Sequence, residues 1–168
     1  MQRITLILLF VFSLSGLTFQ VSLKGMTDLE YFQDTYKNRE KKLASEDLVL
    51  RGITNGVLGV GYYNGWEPVK KNLQMAAYYI GQGAKYNNKY AQYCLSEMYL
   101  KGEGVPQNTD LGIKWLQKAA KQGNVDAQFR LGFTFVNGKN GVKKNSKIAW
   151  YWYLEAANQG NATAQYHL

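Results

Sequence analysis

The chain has 168 residues, an apolar share of 46% and a formal charge of +8, from 20 Lys+Arg against 12 Asp+Glu, which together describe one globular domain. A single cysteine, Cys94, excludes an internal disulfide framework, and a single histidine, His167, argues against a two-His zinc site or a Ser-His-Asp triad. A basic balance suits nucleic acid, anionic lipid or an acidic protein. Here the lysines are spread along the chain, and Lys70-Lys71 and Lys143-Lys144 are loop pairs, so dispersed solvated charge is expected and no nucleic-acid partner.

Residues 1–22 read as a signal peptide. Arg3 supplies the positive start, Ile4 to Phe12 is apolar except for Thr5, and Ser13, Ser15 and Gly16 are small residues suited to cleavage. The alternative is an uncleaved anchor. The apolar run is interrupted and falls short of the ~20 residues that span a bilayer, so the mature chain is expected to have no integral span. Export to the periplasm, or secretion, follows from the cleaved reading.

Residues 23–53 predict an N-terminal capping helix over 28–43 and the start of the first repeat helix. Thr27-Asp28-Leu29-Glu30 has the form of a capping box, and Ser45-Glu46-Asp47 looks like a second helix start.

The remainder is periodic. Ala91-Gln92-Tyr93-Cys94-Leu95-Ser96 recurs as Ala127-Gln128-Phe129-Arg130-Leu131-Gly132, and Ala164-Gln165-Tyr166 begins it again, at spacings of 36 and 37 residues. A fixed period of this size predicts a stack of repeated units. The boundaries read as 54–90, 91–126 and 127–163, with 164–168 starting a truncated fourth copy.

Each unit reads as helix, loop, helix. Ala91, Leu95 and Tyr99 share one face of a first helix, as do Ala127, Leu131 and Phe135, and, more weakly, Thr54, Leu58 and Tyr62. The small residues Gly59, Ser96 and Gly132 beside the Leu allow close helix approach. Gly102 and Gly138 suit the position after a helix end. Asn72, Asn108 and Asn145 stand where the N-cap of a second helix belongs. Leu111, Trp115 and Ala119, then Ile148, Trp152 and Ala156, form its stripe. The pairs Ala119-Ala120 and Ala156-Ala157 allow tight packing, and Gly123 and Gly160 end the helices. In the first unit Gly83-Ala84 replaces the Ala pair and Asn87 the Gly. The tryptophans therefore read as core. Gly56-x-x-Gly59-x-Gly61 lies inside a helical pattern and is not a phosphate loop. No nucleophile or metalloprotease motif is present, so neither a catalytic site, a metal nor a cofactor is expected.

The pattern Ala-x3-Leu-Gly/Ser-x2-Tyr/Phe, then Gly-x-Gly-Val, then Trp-x3-Ala-Ala-x2-Gly, resembles Sel1-like repeats, relatives of the tetratricopeptide repeats with a longer unit. The resemblance spans about 54–168. It implies an all-α fold, a right-handed α/α solenoid of about three repeats, and a protein partner. Exported bacterial members act in the envelope or on host or competitor proteins, and some are immunity proteins against secreted toxins, including type VI lipase effectors. A cysteine-rich branch labelled β-lactamase pairs two Cys per repeat. This chain lacks those pairs, so that hydrolase activity does not carry over. The family's usual Asp before the second helix is Asn here.

Positions that the scaffold does not require are the candidates for partner binding. On the first helices these are Tyr93 and Glu97, then Phe129 and Phe133. Tyr93, Phe129 and Tyr166 share one repeat position, so stacking predicts either an aromatic ladder along the concave side or packing of that position on its own second helix. On the last second helix Tyr151 and Leu154 replace Lys114 and Gln117. With Trp150 they make Ala149–Leu154 apolar almost all round. Such a helix is covered by 164–168, by a second copy of the chain in a homo-oligomer, or by a partner. The leading functional expectation is a non-enzymatic envelope protein that binds another protein, in its sharper form a periplasmic immunity protein. A structural or adaptor component of an envelope complex is the rival, and a hydrolase the alternative from another class.

Overall fold

In a computed structural model of the chain, the described residues are 11–13, 18–20 and 28–168. Ser15 and Gly16 of the expected cleavage segment and Thr27 of the expected capping box lie outside them. Val11–Ser13 (β1) and Thr18–Gln20 (β2) pair as a short antiparallel ribbon. The body of the molecule is helical.

The capping helix expected over 28–43 is two helices, α1 (Asp28–Lys37) and α2 (Arg39–Leu43). The break falls at Asn38, whose side-chain amide turns back to donate to the Asp34 carbonyl and carboxylate. Phe32 anchors α1 by filling the space above Gly61, where an added Cβ would collide with its ring. Asp47 then caps α3 (Leu48–Asn64), accepting from the Val49 and Leu50 amides.

Three helix pairs follow from here. They are α3 with α4 (Leu73–Lys85), α5 (Lys89–Lys101) with α6 (Thr109–Lys121), and α7 (Val125–Asn137) with α8 (Ser146–Asn158). A single turn and a half, α9 (Ala162–Tyr166), lies on α8. Each helix packs on its sequence neighbour, so the chain advances as a solenoid.

Local chemistry repeats with the fold. Asn72, Asn108 and Asn145 each accept from the amide three residues on, at 2.9, 2.9 and 3.1 Å. Asn88, Asn124 and Asn161 cap the first helices of successive units in the same way, a set of caps the sequence pattern does not single out. Gly102 ends α5 at φ 74°, a conformation that costs a side-chain residue ~1 kcal/mol or more. Asn87, which stands where later units have Gly123 and Gly160, also takes a positive φ of 62°, as Asn tolerates.

The first-helix stripes are core: Thr54 and Leu58, Ala91 and Leu95, Ala127 and Leu131 are all buried, with Tyr62, Tyr99 and Phe135 at the edge. The second-helix stripe is rotated from the expected one. Leu111 is only half-buried and Ile148 exposed, whereas Ile113, Leu116 and Ala120 face inward. Trp115 and Trp152 pack on the margins of the core. Leu111, Ile148 and the two tryptophans thus border the core, while Ala119 and Ala156 of the same stripe are fully buried, so the inner face is turned toward Ile113, Leu116 and Ala120.

Candidate interaction surfaces

Two regions hold the candidate partner-binding residues. The first is the side formed by α5 and α7. Tyr93 is buried there against Ile113 and Leu116 of its own second helix and Ala127 and Leu131 of the next unit. It is therefore not an open rung. Burial pushes its hydroxyl pKa far above the ordinary range, with Glu97 and Asp126 adding to the effect. Glu97 is also nearly covered. Arg130 lies 3.2 Å from its carboxylate and Lys101 3.6 Å, so Glu97 ties α5 to α7 across the unit boundary.

Phe129 packs on Tyr153 of its own second helix, with ring centroids 5.7 Å apart. Phe133 joins the same cluster with Lys139 over its ring. Only Tyr166, the last position of the expected ladder, stands in the open. At Tyr93 and Phe129 the aromatic position thus packs on its own second helix.

A small cavity of about 40 Å³ opens beside Tyr93, lined by Val60, Ile80, Cys94 and Met98, with Tyr63 and Glu103 at its mouth. The Tyr63 hydroxyl donates to Glu103 at 2.8 Å, and burial together with that carboxylate pushes the phenol up to about 12. Burial likewise pushes the Cys94 thiol up to about 12, as befits a small apolar core residue.

The second region is the C-terminal end. α8 buries Ala149, Tyr153, Ala156 and Ala157 and leaves Trp150 and Tyr151 outside, with Leu154 half-covered. Comparison with the matching positions in earlier units gives this its meaning. Ala77 and Ile113 occupy the position of Trp150, and they are 8% and 9% exposed against its 54%. Leu95 and Leu131 occupy the position of Leu168, and they are 5% and 0% exposed against its 50%. The intervening α9 seats Ala164 on Ala156 and Ala157 and stacks His167 flat on Tyr153 at 5.1 Å. It does not reach Trp150.

Sequence reasoning missed a second element of the joints. Gln92, Gln128 and Gln165 each donate to the carbonyl of the last alanine of the preceding second helix, Ala84, Ala120 and Ala157, each at 3.2 Å. Gln159 donates in turn to Gln128 at 2.8 Å. These helix-end carbonyls already accept from the backbone amide three residues on, and the glutamine of the next unit adds a second bond. The signal was visible, since Ala-Gln opens all three copies of the phrase.

No group of three or more His, Cys, Asp or Glu side chains capable of holding a metal occurs among the described residues. Nor, among those residues, is any helix long and apolar enough to cross a membrane.

The stacked helix pairs, preceded by α1 and α2, define an α/α solenoid. The Sel1 repeat profile matches residues 57–87, 89–124 and 125–161, and the chain belongs to the Sel1 repeat family. Sel1 repeats are protein–protein interaction modules. The chain is similar to a Sel1 repeat protein from Oxalobacter formigenes, with 31% identity over 81% of this chain and a TM-score of 0.67. It spans 57% of that protein's length. It shares its fold with cysteine-rich protein B of Helicobacter pylori, at 22% identity and a TM-score of 0.62, covering 82% of this chain and 96% of the other.

Proposed function

We propose that the chain is an exported, non-enzymatic protein-binding module whose partner meets the outer face of the second helices. One observation carries this reading: Tyr78 and Tyr151 stand at one repeat position and are both exposed, at 58% and 49%. Exposed aromatics of this kind are the usual anchors of protein interfaces. Within this reading the sharper role is a periplasmic immunity protein that binds and inhibits a secreted antibacterial toxin, such as a type VI lipase effector. The family's exported members and the absence of catalytic motifs support that role.

The test is co-expression with a type VI lipase effector of the same organism in a toxin-sensitive bacterial host. Wild-type chain protects the host and forms a complex that survives gel filtration. Tyr78→Ala/Tyr151→Ala abolishes both while leaving the helical circular-dichroism spectrum intact. Full protection and full complex formation by the double variant would refute the docking assignment. A host killed despite abundant folded chain would refute the immunity role.

A further inference from the structure

The cavity beside Tyr93 opens between α3 and α5, at the joint of the first two units. Its walls are Val60, Ile80, Cys94 and Met98, all buried. Burial keeps the Cys94 thiol protonated, so the wall it forms is apolar. Native interiors leave few voids larger than a water molecule. An apolar hollow that reaches the surface therefore needs a reason.

The next joint supplies the comparison. Aligned by repeat, Cys94 matches Arg130 and Val60 matches Glu97. Between the second and third units these positions hold an ion pair 3.2 Å apart, two long side chains that together span the space from α5 to α7. Between the first and second units they hold a thiol and an isopropyl group, which are too short to do the same. The scaffold thus has a way to bridge this place, uses it at one joint and omits it at the other. The opening differs as well, because Glu97 stands at the rim where the next unit has Phe133.

We propose that this cavity is a socket for one leucine side chain of a partner protein, carried on a segment that crosses the C-terminal ends of α3 and α5. Size sets the side chain. A hollow of about 40 Å³ has room for about three water-sized atoms, the branched end of a leucine. A phenyl ring is too large, and a polar group would lose its hydrogen bonds against these walls. The rim suits a backbone. Tyr63 donates to Glu103 at 2.8 Å, and Lys101 lies 3.6 Å from Glu97, so acceptors and a donor flank the opening where the amides on either side of the leucine would lie.

A protein is the occupant because the hollow is small. A free molecule of a few heavy atoms gains too little there to offset its lost freedom, whereas a side chain borne by a protein adds its burial to contacts made elsewhere. The chain itself exposes Leu48 and Val49 at the start of α3, so a second copy is the rival occupant, and sedimentation separates it. The socket is built mainly from first helices, whereas Tyr78 and Tyr151 lie on second helices, so the two assignments stand or fall separately.

The experiment uses purified full chain with isotope-labelled Val, Ile and Met methyl groups and three blocked tripeptides, each with two alanines around a central Leu, Phe or Asn. Methyl NMR spectra are recorded up to millimolar peptide, beside the same titration with octanoate and sedimentation of the chain alone. The Leu peptide shifts the methyls of Val60, Ile80 and Met98 and saturates, whereas the Phe and Asn peptides shift none of them. Cys94→Leu and, separately, Val60→Leu fill the socket from its own walls. Each keeps the helical circular-dichroism spectrum and lowers the affinity about tenfold or more, and either suffices if the other fails to fold. No saturable shift with the Leu peptide, equal shifts with the Phe or Asn peptide, or undiminished shifts in the folded filled variants overturn the socket. Shifts with octanoate but not with the Leu peptide overturn the protein occupant, as does self-association of the chain that the filled variants abolish. An effector complex unaffected by Tyr78→Ala/Tyr151→Ala refutes the outer-face docking and leaves the socket standing, because the peptide titration does not depend on the effector.

Discussion

Two glycines in the first helix pair predict opposite responses to the same substitution. An added Cβ at Gly59, in α3, would lie 2.8 Å from the Ile80 backbone nitrogen and 3.2 Å from the Ala76 carbonyl of α4, and closer still to the Ile80 side chain. Backbone atoms cannot step aside as a side-chain tip can, so α3 and α4 must separate. Overpacking of that kind costs about 1–3 kcal/mol. Against it stands the helix-propensity gain of Gly→Ala, about 1 kcal/mol. The net for Gly59→Ala is a loss of up to about 2 kcal/mol, which at this chain length lowers Tm by up to roughly 8 °C. At Gly81, in α4, nothing lies within 4 Å of the added Cβ. Only the propensity gain remains, and Gly81→Ala raises Tm by roughly 2–4 °C. Thermal unfolding of the two variants by far-ultraviolet circular dichroism, side by side with wild type, decides the matter. A Gly59→Ala protein as stable as Gly81→Ala would show that the close approach of α3 and α4 is not what holds glycine at 59.

Gly132→Ala should also destabilise, because its Cβ would sit 2.6 Å from the Tyr153 ring, itself wedged between Phe129 and His167; unfolding midpoints in urea measure it, expected about 1 kcal/mol below wild type. Asn124 is buried and its side chain accepts from the Ala127 amide at 2.8 Å, so Asn124→Ala should cost about 1–2 kcal/mol, more than Asn145→Ala at an exposed cap, in the same urea assay. Burial raises the Asp126 carboxyl to about 6. The native state therefore binds this proton more tightly than the unfolded chain, and the group's contribution to stability falls as pH rises from about 4 to about 6. Asp126→Asn should raise the unfolding free energy at pH 7.5 by about 1 kcal/mol, once its remaining contact with water is discounted, and the gain should vanish near pH 4 in urea unfolding at the two pH values. Cys94 should resist a thiol reagent in native buffer and react fully in denaturant, as followed by absorbance.

What could be read from the sequence is what lies within one turn or one period of itself. The Ala-Leu-aromatic stripes, the Asn caps of the second helices and the glycines after the helices are local signals, repeated three times, and each copy corroborates the others. What could not be read lies between units. Tyr93 reads as a surface residue on its own helix. It is buried because α6 and α7 meet above it, and α7 begins more than thirty residues further on. Glu97 reads as a free acid until Arg130, on the next first helix, folds onto it. The rotated inner face of the second helices has the same origin. Periodicity identifies an apolar stripe, but which of two adjacent stripes faces inward depends on where the following pair lands.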